Sequence, residues 1–383
     1  MKNILFFKLK SVCYNSYSYF IDSIALQFQK KDCMLYFFDI EKEPLENLER
    51  LLECSFDAII DFNSDLPKLK MDDDTYFLDH INAPFYDIIL DHPLYHHDML
   101  KQTLRNFHVI CLDYNHKAYI STYYPHIRSV HVLFMTGETH TPVIPYKKRS
   151  TELLFTGTYT PSKEVFTAIS NTPPFLAADT RNIIDLLLKD SSLTIEGAAK
   201  KLAPDTTSLI FENFPLHLQA YFLADTYVRS YQREEVLSFL LKGKFPLTIC
   251  GHGWEGASFY NSPYLTVKKS IPFFDTFALM ADSKMVLNLM PNFKNGTHDR
   301  IFSAMLNHCV TITDESVCLK EQFIHEKDIV FYNLNDLSSL AKSITTLQSD
   351  LTAAASIAEH GYQKASHFRT WSNFADLLYR NIF

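Results

Sequence analysis

Residues 283–315 of this chain read SKMVLNLMPNFKNGTHDRIFSAMLNHCVTITDE. The run 284–289 is apolar, long enough for a buried strand and too short for a helix. Pro291, Asn292, Asn295 and Gly296 then break all periodicity. From His298 onward the apolar residues fall at Ile301, Phe302, Met305 and Leu306, the spacing of one helical face. The run 309–313 is again apolar and β-branched. Strand, loop, helix and strand make a βαβ unit, and such units build parallel sheets.

Chemistry in such a unit belongs in its loop. A helix N-terminus presents free N–H groups and the positive end of the helix dipole. A glycine before it lets a ligand approach the backbone, and together they suit a phosphate or diphosphate. Here Gly296 supplies the approach, Thr297 or Asp299 the cap, and Arg300 a bidentate partner for an anion. The competing reading is a plain connection, which every α/β protein needs.

Working outward, 383 residues predict about two domains. A hydrophobic fraction of 47% with 21% charged residues suits a globular chain with ample core. The net charge of -8 argues against a nucleic-acid binder driven by phosphate contacts. The one short basic cluster, Lys147, Lys148 and Arg149, reads first as a solvated linker. Seven cysteines show no CxxC spacing and several lie in apolar runs, so buried free thiols in a reducing compartment are expected. The N-terminus lacks a signal-peptide pattern and no apolar run reaches 18 residues, which predicts a cytoplasmic chain without a membrane span. Only nine residues are glycine, well under the average of about 7%. Five of them, Gly157, Gly251, Gly253, Gly256 and Gly296, follow apparent strands.

Strands are expected at 3–9, 33–39, 56–62, 86–90, 108–112 and 130–134, interleaved with helices. This is a first α/β domain over 1–148. The Thr- and Pro-rich stretch 136–149 reads as the linker to a second α/β domain over 149–365. That domain carries a largely helical segment at 161–243 and strands at 152–155, 245–250, 284–289, 309–313 and 328–332. A last helix, 366–383, is expected to pack back on the first domain. In parallel sheets ligands bind beyond the carboxyl ends of the strands. In the first domain those ends carry the stretch 11–18, then Asp91-His92-Pro93 with His96, His97 and Asp98, then Asp113 and His116. A histidine titrating near neutrality is a natural general base. Asp91, His92, His96, His97 and Asp98 could instead hold a metal, or be an ordinary polar loop.

The succession LLFTGTYTP, LTICGHGW, MVLNLMPNFKNGTHDRIFSAMLNHCVTITDE and DIVFYNLNDL, closed by a helix with Trp371, resembles the C-terminal domain of GT-B glycosyltransferases, in particular the spore-maturation (CgeB-type) glycosyltransferase-like group. The resemblance covers 151–383. It implies two Rossmann-like domains facing across a cleft, the C-terminal one for a nucleotide-sugar donor and the N-terminal one for the acceptor. Carried over by position, Gly157 and Thr158 would lie near the donor phosphates, and Gly251, His252, Gly253 and Trp254 near the base. Asn292, Gly296, Thr297, His298, Asp299 and Arg300 would hold the diphosphate and sugar. No metal or other cofactor is implied, and the acceptor could be a glycan, a protein or a small molecule. The chain departs from the family at Ser303 and Asn295, where many retaining relatives carry glutamates. The resemblance therefore implies no acidic ribose contact; Ser303 could give a weaker hydrogen bond. It assigns neither retention nor inversion, and an inverting enzyme would need a base from His92, Asp91 or His116. The alternatives are a non-catalytic GT-B-like nucleotide-binding protein and a metal-dependent hydrolase built on the 92–97 histidines.

Overall fold

The apolar runs of the first half become strands because each is bounded by turn-forming residues and buried on both faces, as parallel strands are. The computed structural model describes residues 1–8, 13–39, 41–202 and 214–383. Leu9, Ser11 and the stretch 203–213, all named in the expectations above, lie outside the described residues. The chain divides into two compact units. The first comprises Met1–Thr136, Pro272–Phe274 and Arg369–Phe383; the second comprises Gly137–Ile271 and Asp275–Phe368.

In the first unit β1 (Asn3–Lys8), α1 (Ser16–Gln29), β2 (Met34–Asp39), β3 (Ala58–Phe62), β4 (Phe85–Ile88), β5 (Phe107–Cys111), α2 (Tyr114–Tyr123) and β6 (Ser129–Val132) follow in order. The helix expected before β3 is a 3-10 stretch, Leu45–Glu53. The sheet is parallel in the order β2-β1-β3-β4-β5-β6. The order in which strands are added reverses between β1 and β3, and open α/β sheets bind ligands at such switch points. Ile4, Leu5, Phe6 and Phe7 of β1 are fully buried. So are two acids, Asp61 on β3 and Asp87 on β4, both 0% exposed and opposite each other in register.

The second unit contains β7 (Thr151–Thr156), α3 (Ser162–Ser170), α4 (Pro174–Lys189), α5 (Ile195–Leu202), α6 (Phe214–Lys242), β8 (Leu247–Cys250), β9 (Leu265–Lys268), α7 (Thr276–Ala281), β10 (Ser283–Asn288), α8 (Asp299–Leu306), β11 (Val310–Asp314), α9 (Val317–Gln322), β12 (Val330–Tyr332), α10 (Leu337–Ser349) and α11 (Leu351–Phe368). Its sheet is parallel in the order β12-β11-β10-β7-β8-β9. The switch point is the β10–β7 pair. The helical segment is dominated by α6, one helix of 29 residues packed on α3 and α4.

The last helix, α12 (Trp371–Ile382), belongs to the first unit. Trp371 Nε1 donates to Tyr19 OH at 2.9 Å, and the Tyr19 ring also meets Phe273 at 5.5 Å. Burying four aromatic side chains around α1, with Phe20 among them, is the physical reason the chain returns here. Arg149 corrects its reading as a solvated linker residue. It is 4% exposed, and its guanidinium donates to the carbonyls of Ile144, Ser283 and His308. The thiols of Cys33, Cys54, Cys111, Cys250, Cys309 and Cys318 are free, and all but Cys54 are buried. Among the described residues no helix is long and apolar enough to cross a membrane.

Candidate active site

Arg300 sits on the switch point of the second sheet. It is the second residue of α8. Its Nε donates to Thr156 Oγ1 at the end of β7 and its Nη1 to Asn288 Oδ1 at the end of β10, both at 2.8 Å. Asn288 is fixed in turn by donating to Thr313 Oγ1 at 3.0 Å. Two of the guanidinium's nitrogens are thus spent on aiming it, and among the described residues no carboxylate salt-bridges it.

The second cation here escaped the sequence reading. Arg233, on α6, donates through Nη1 to the carbonyl of Thr158, and its Nε is buried with no hydrogen-bond partner among the described residues. The guanidiniums of Arg233 and Arg300 lie 5.6 and 5.9 Å from the centroid of the Phe155 ring. Burial, then the charges of Arg300 and Arg229, push Arg233 down to about 9; burial also lowers Arg300, with Asp299 opposing. Among the described residues no carboxylate salt-bridges either guanidinium, an arrangement that favours an anion nearby. One turn earlier on α6, Arg229 pairs with Asp225 at 2.9 Å, and Asp225 also accepts from Asn292 Nδ2 at 3.0 Å. The signal was present as Asp225, Arg229 and Arg233 at four-residue spacing, one face of a helix.

The loop after β10 is pinned along its length. Asp314 Oδ1 accepts from Met290 N at 2.8 Å, Ser316 Oγ donates to Gly296 O at 2.7 Å, and Val317 N donates to Lys294 O at 2.9 Å. Neither Thr297 nor Asp299 caps α8. Thr297 is fully buried and Asp299 is the first helical residue, so His298 takes the cap position. Its Nδ1 lies 3.3 Å from Arg300 N and 2.7 Å from Asp299 Oδ1. These contacts need opposite protonation of one nitrogen. The shorter, charge-assisted one decides that Nδ1 carries the proton and donates to the carboxylate. Burial alone would raise Asp299, but His298 and then Arg300 hold it below the usual carboxylate range.

Ser303 is not placed for a ribose contact. It is 1% exposed and covered by Gly137, where an added Cβ would fall 2.2 Å from Ser303 Oγ. Asn307 on the same helix face holds this covering segment, donating to Glu138 O at 2.9 Å and accepting from His140 N at 2.8 Å. A glutamate at 303 has no room. Ser303→Glu is expected to destabilise the second unit by ~3 kcal/mol through overpacking and a buried carboxyl; a urea midpoint equal to wild type would show that the 137–140 segment yields.

Gly157 and Gly251 bring the loops after β7 and β8 together. A Cβ on Gly251 would lie 2.0 Å from Gly157 O, so only glycine permits the approach. Trp254 does not offer its ring to a base. It is 0% exposed, stacks on Tyr159 at 4.9 Å and donates Nε1 to Gly157 O at 2.8 Å. It shapes the loop from beneath, while Thr158 and His252 are exposed at its rim. Trp254→Phe keeps the ring and removes the hydrogen bond. A loss of about 1 kcal/mol is expected in urea denaturation; no loss would mean the loop holds itself.

The three candidates of the first unit separate clearly. His92 and His116 come together, ring centroids 4.7 Å apart, but are 3% and 1% exposed. His92 Nδ1 accepts from Leu94 N at 3.1 Å. His116 lies in the first turn of α2, whose cap Asp113 accepts from Asn115 N at 2.6 Å. His96 is also buried, with neither ring nitrogen hydrogen-bonded among the described residues, and burial lowers its pKa despite Asp91. Asp91 is the exposed member, and Asn63 ties it to the switch point. Asn63 Nδ2 lies 3.5 Å from Asp91 Oδ2 and also donates to Tyr17 OH, bridging the connections that leave β1 and β3. Among the described residues no group of three His, Cys, Asp or Glu side chains could hold a metal ion.

Two parallel six-stranded sheets flanked by helices are the GT-B fold, the architecture of known glycosyltransferases. Residues 229–379 match a family described as glycosyl transferase-like, a segment that begins at Arg229 and includes Arg233, the whole loop after β10 and Arg300. An alpha-glucosyltransferase in complex with UDP and a 13-mer DNA is similar over 100% of this chain and 99% of its own, with a TM-score of 0.61 and 11% identity. Anabaena HepE in complex with UDP-glucose (TM-score 0.54, 10% identity) and sucrose-phosphate synthase from Thermosynechococcus elongatus (TM-score 0.54, 9% identity) each pair over 100% of this chain and 99% of theirs. No curated protein matches the chain in sequence.

Proposed function

We propose that the chain moves a sugar from a nucleoside-diphosphate donor to an acceptor hydroxyl or similar nucleophile, with the donor diphosphate held by Arg233 and Arg300. The observation that carries this is the pair of guanidiniums at the β7–β10 switch point, with no carboxylate among the described residues salt-bridged to either. The N–H groups that open α8 add to the same field. Charge supplied this way does the work a divalent cation would otherwise do, so activity is expected to survive EDTA. Asp91 is the residue of the three candidates suited to take the acceptor's proton, being exposed and oriented by Asn63. Free thiols favour the cytoplasm as the setting.

Solved proteins of similar fold carry UDP or UDP-glucose, which makes the uridine nucleotides the first probes. A thermal-shift panel of nucleoside diphosphates and their sugar conjugates tests the reading. A ligand at 100 times its dissociation constant adds about 2.7 kcal/mol of stability. One responding base supports the donor site; no response at millimolar concentration overturns it.

A further inference from the structure

Resting on that donor site, we propose that Asn288 is a positioning residue that aims Arg300 with a neutral acceptor and so leaves its charge to the donor diphosphate, and that Thr313 and Asp314 hold Asn288 to this task. Asn288 ends β10, and Thr313 and Asp314 end the neighbouring strand β11. They are 0%, 0% and 3% exposed. Together they form one run of hydrogen bonds with a single direction. A guanidinium only donates, so Arg300 Nη1, at 2.8 Å, meets the oxygen of the Asn288 amide. The amide nitrogen is thereby turned to Thr313 Oγ1 at 3.0 Å. Having accepted there, the hydroxyl sends its proton on to Asp314 Oδ1 at 3.4 Å. The carboxylate, which only accepts, closes the run and also takes Met290 N at 2.8 Å. Tyr332 OH donates to the Asn288 main-chain carbonyl at 3.0 Å, so backbone and side chain of Asn288 are both held.

This arrangement decides what Arg300 has left to give. Its Nε goes to Thr156 and its Nη1 to Asn288. Among the described residues no hydrogen bond takes up Nη2. A buried cation usually meets a carboxylate. Asp299, next in the chain, is engaged by His298 at 2.7 Å. Asp314 stands off by two neutral groups, an amide and a hydroxyl. Their aligned dipoles pass its orienting effect to Arg300 without placing a charge beside the guanidinium. Burial pushes Asp314 up to about 6, with Lys294 opposing, so it is charged at pH 8. An aspartate at 288 would keep the hydrogen bonds, since its oxygens accept from Arg300 and from the Thr313 hydroxyl alike. It would differ in one respect, a negative charge against the guanidinium that is to grip the diphosphate.

Calorimetric titration with UDP-glucose at pH 8 tests this, with a thermal melt of each variant to confirm folding. Asn288→Asp is expected to weaken binding about 30-fold; a residue that served packing alone would tolerate the exchange. Thr313→Val removes the hydroxyl, leaves the amide nitrogen unpaired and is expected to cost about tenfold. Thr313→Ser restores the hydroxyl and should bind within about threefold of wild type. In an Arg300→Ala background Thr313→Val should cost nothing further, because it acts through Arg300. If Asn288→Asp does not fold, the Thr313 variants decide alone. Wild-type affinity in a folded Asn288→Asp, or an equal loss from Thr313→Val with and without Arg300, overturns the inference and leaves the donor site standing. Failure of the wild type to bind any nucleotide sugar overturns both.

Discussion

Arg300→Ala is expected to weaken the binding of a nucleotide sugar by about 100-fold and to slow its turnover by 100- to 1,000-fold, since charge stabilisation of a departing oxyanion is often the largest catalytic contribution of a single group. The side chain spends Nε on Thr156 and Nη1 on Asn288, so its direction is set before any ligand arrives and little rotamer freedom is lost on binding. The same two bonds mean that the alanine variant also loosens the ends of β7 and β10, and a melting curve must accompany the affinity. Arg300→Lys separates charge from geometry. It keeps the cation but cannot hold both strand ends and an anion at once, so a result between alanine and wild type is expected. Arg233→Ala should fall in the same direction. The double variant should cost less than the sum, because both side chains grip one anion. Wild-type affinity in both single variants would place the anion elsewhere.

Asp87→Asn is expected to stabilise the first unit by about 4 kcal/mol at pH 7. Asp61 and Asp87 are fully buried on adjacent strands, and each has one carboxylate oxygen with no hydrogen-bond partner among the described residues. Asp87 Oδ1 accepts from Ser64 N at 3.1 Å and Asp61 Oδ1 from Phe62 N at 2.8 Å; no cation pairs with either. Burial pushes Asp87 up to about 8, and burial with the neighbouring Asp87 charge raises Asp61 well above the carboxylate range. Unfolded, both titrate near 3.9. Between the two values the native state keeps protons that the unfolded state has released, so stability falls as pH rises. The fall begins near pH 4, runs at about 1.4 kcal/mol per pH unit for each group, and for Asp87 ends near pH 8. Asparagine has the shape of the protonated acid and does not titrate, so the variant should lose one proton's worth of slope. Urea denaturation at pH 5, 7 and 8 measures this. Equal stability of the wild type at pH 5 and pH 8 would sink the assignment.

Much of the fold was legible because buried parallel strands are apolar on both faces, and an unbroken apolar run bounded by Pro, Gly or Asn announces itself without any partner being known. The strand 283–288, the loop behind it and the helix carrying Arg300 were readable this way. What was misread depended on neighbours distant in sequence. Trp254 stands alone between glycines, the look of an exposed aromatic, yet Tyr159 and Gly157 claim both its ring and its N–H. Arg149 sits in a basic run, yet three carbonyls from three segments bury it. Ser303 looked like a weakened ligand, whereas Gly137 lies directly over it.

The sequence by itself determined the parallel α/β architecture and the strand, loop and helix of residues 283–306, since these follow from periodicity and turn residues. Only the tertiary structure decided which charges act together. Arg233 and Arg300 are separated by three strands, a helix and the loop after β10, and nothing in the spacing of either predicts the other. Likewise the pairing of His298 with Asp299 and the contact of Asn63 with Asp91 rest on distances of a few ångströms between side chains. Hydrogen bonds and ion pairs fall off over that distance, so they become visible only when the strand order has brought the ends of β1 and β3, and of β7 and β10, side by side.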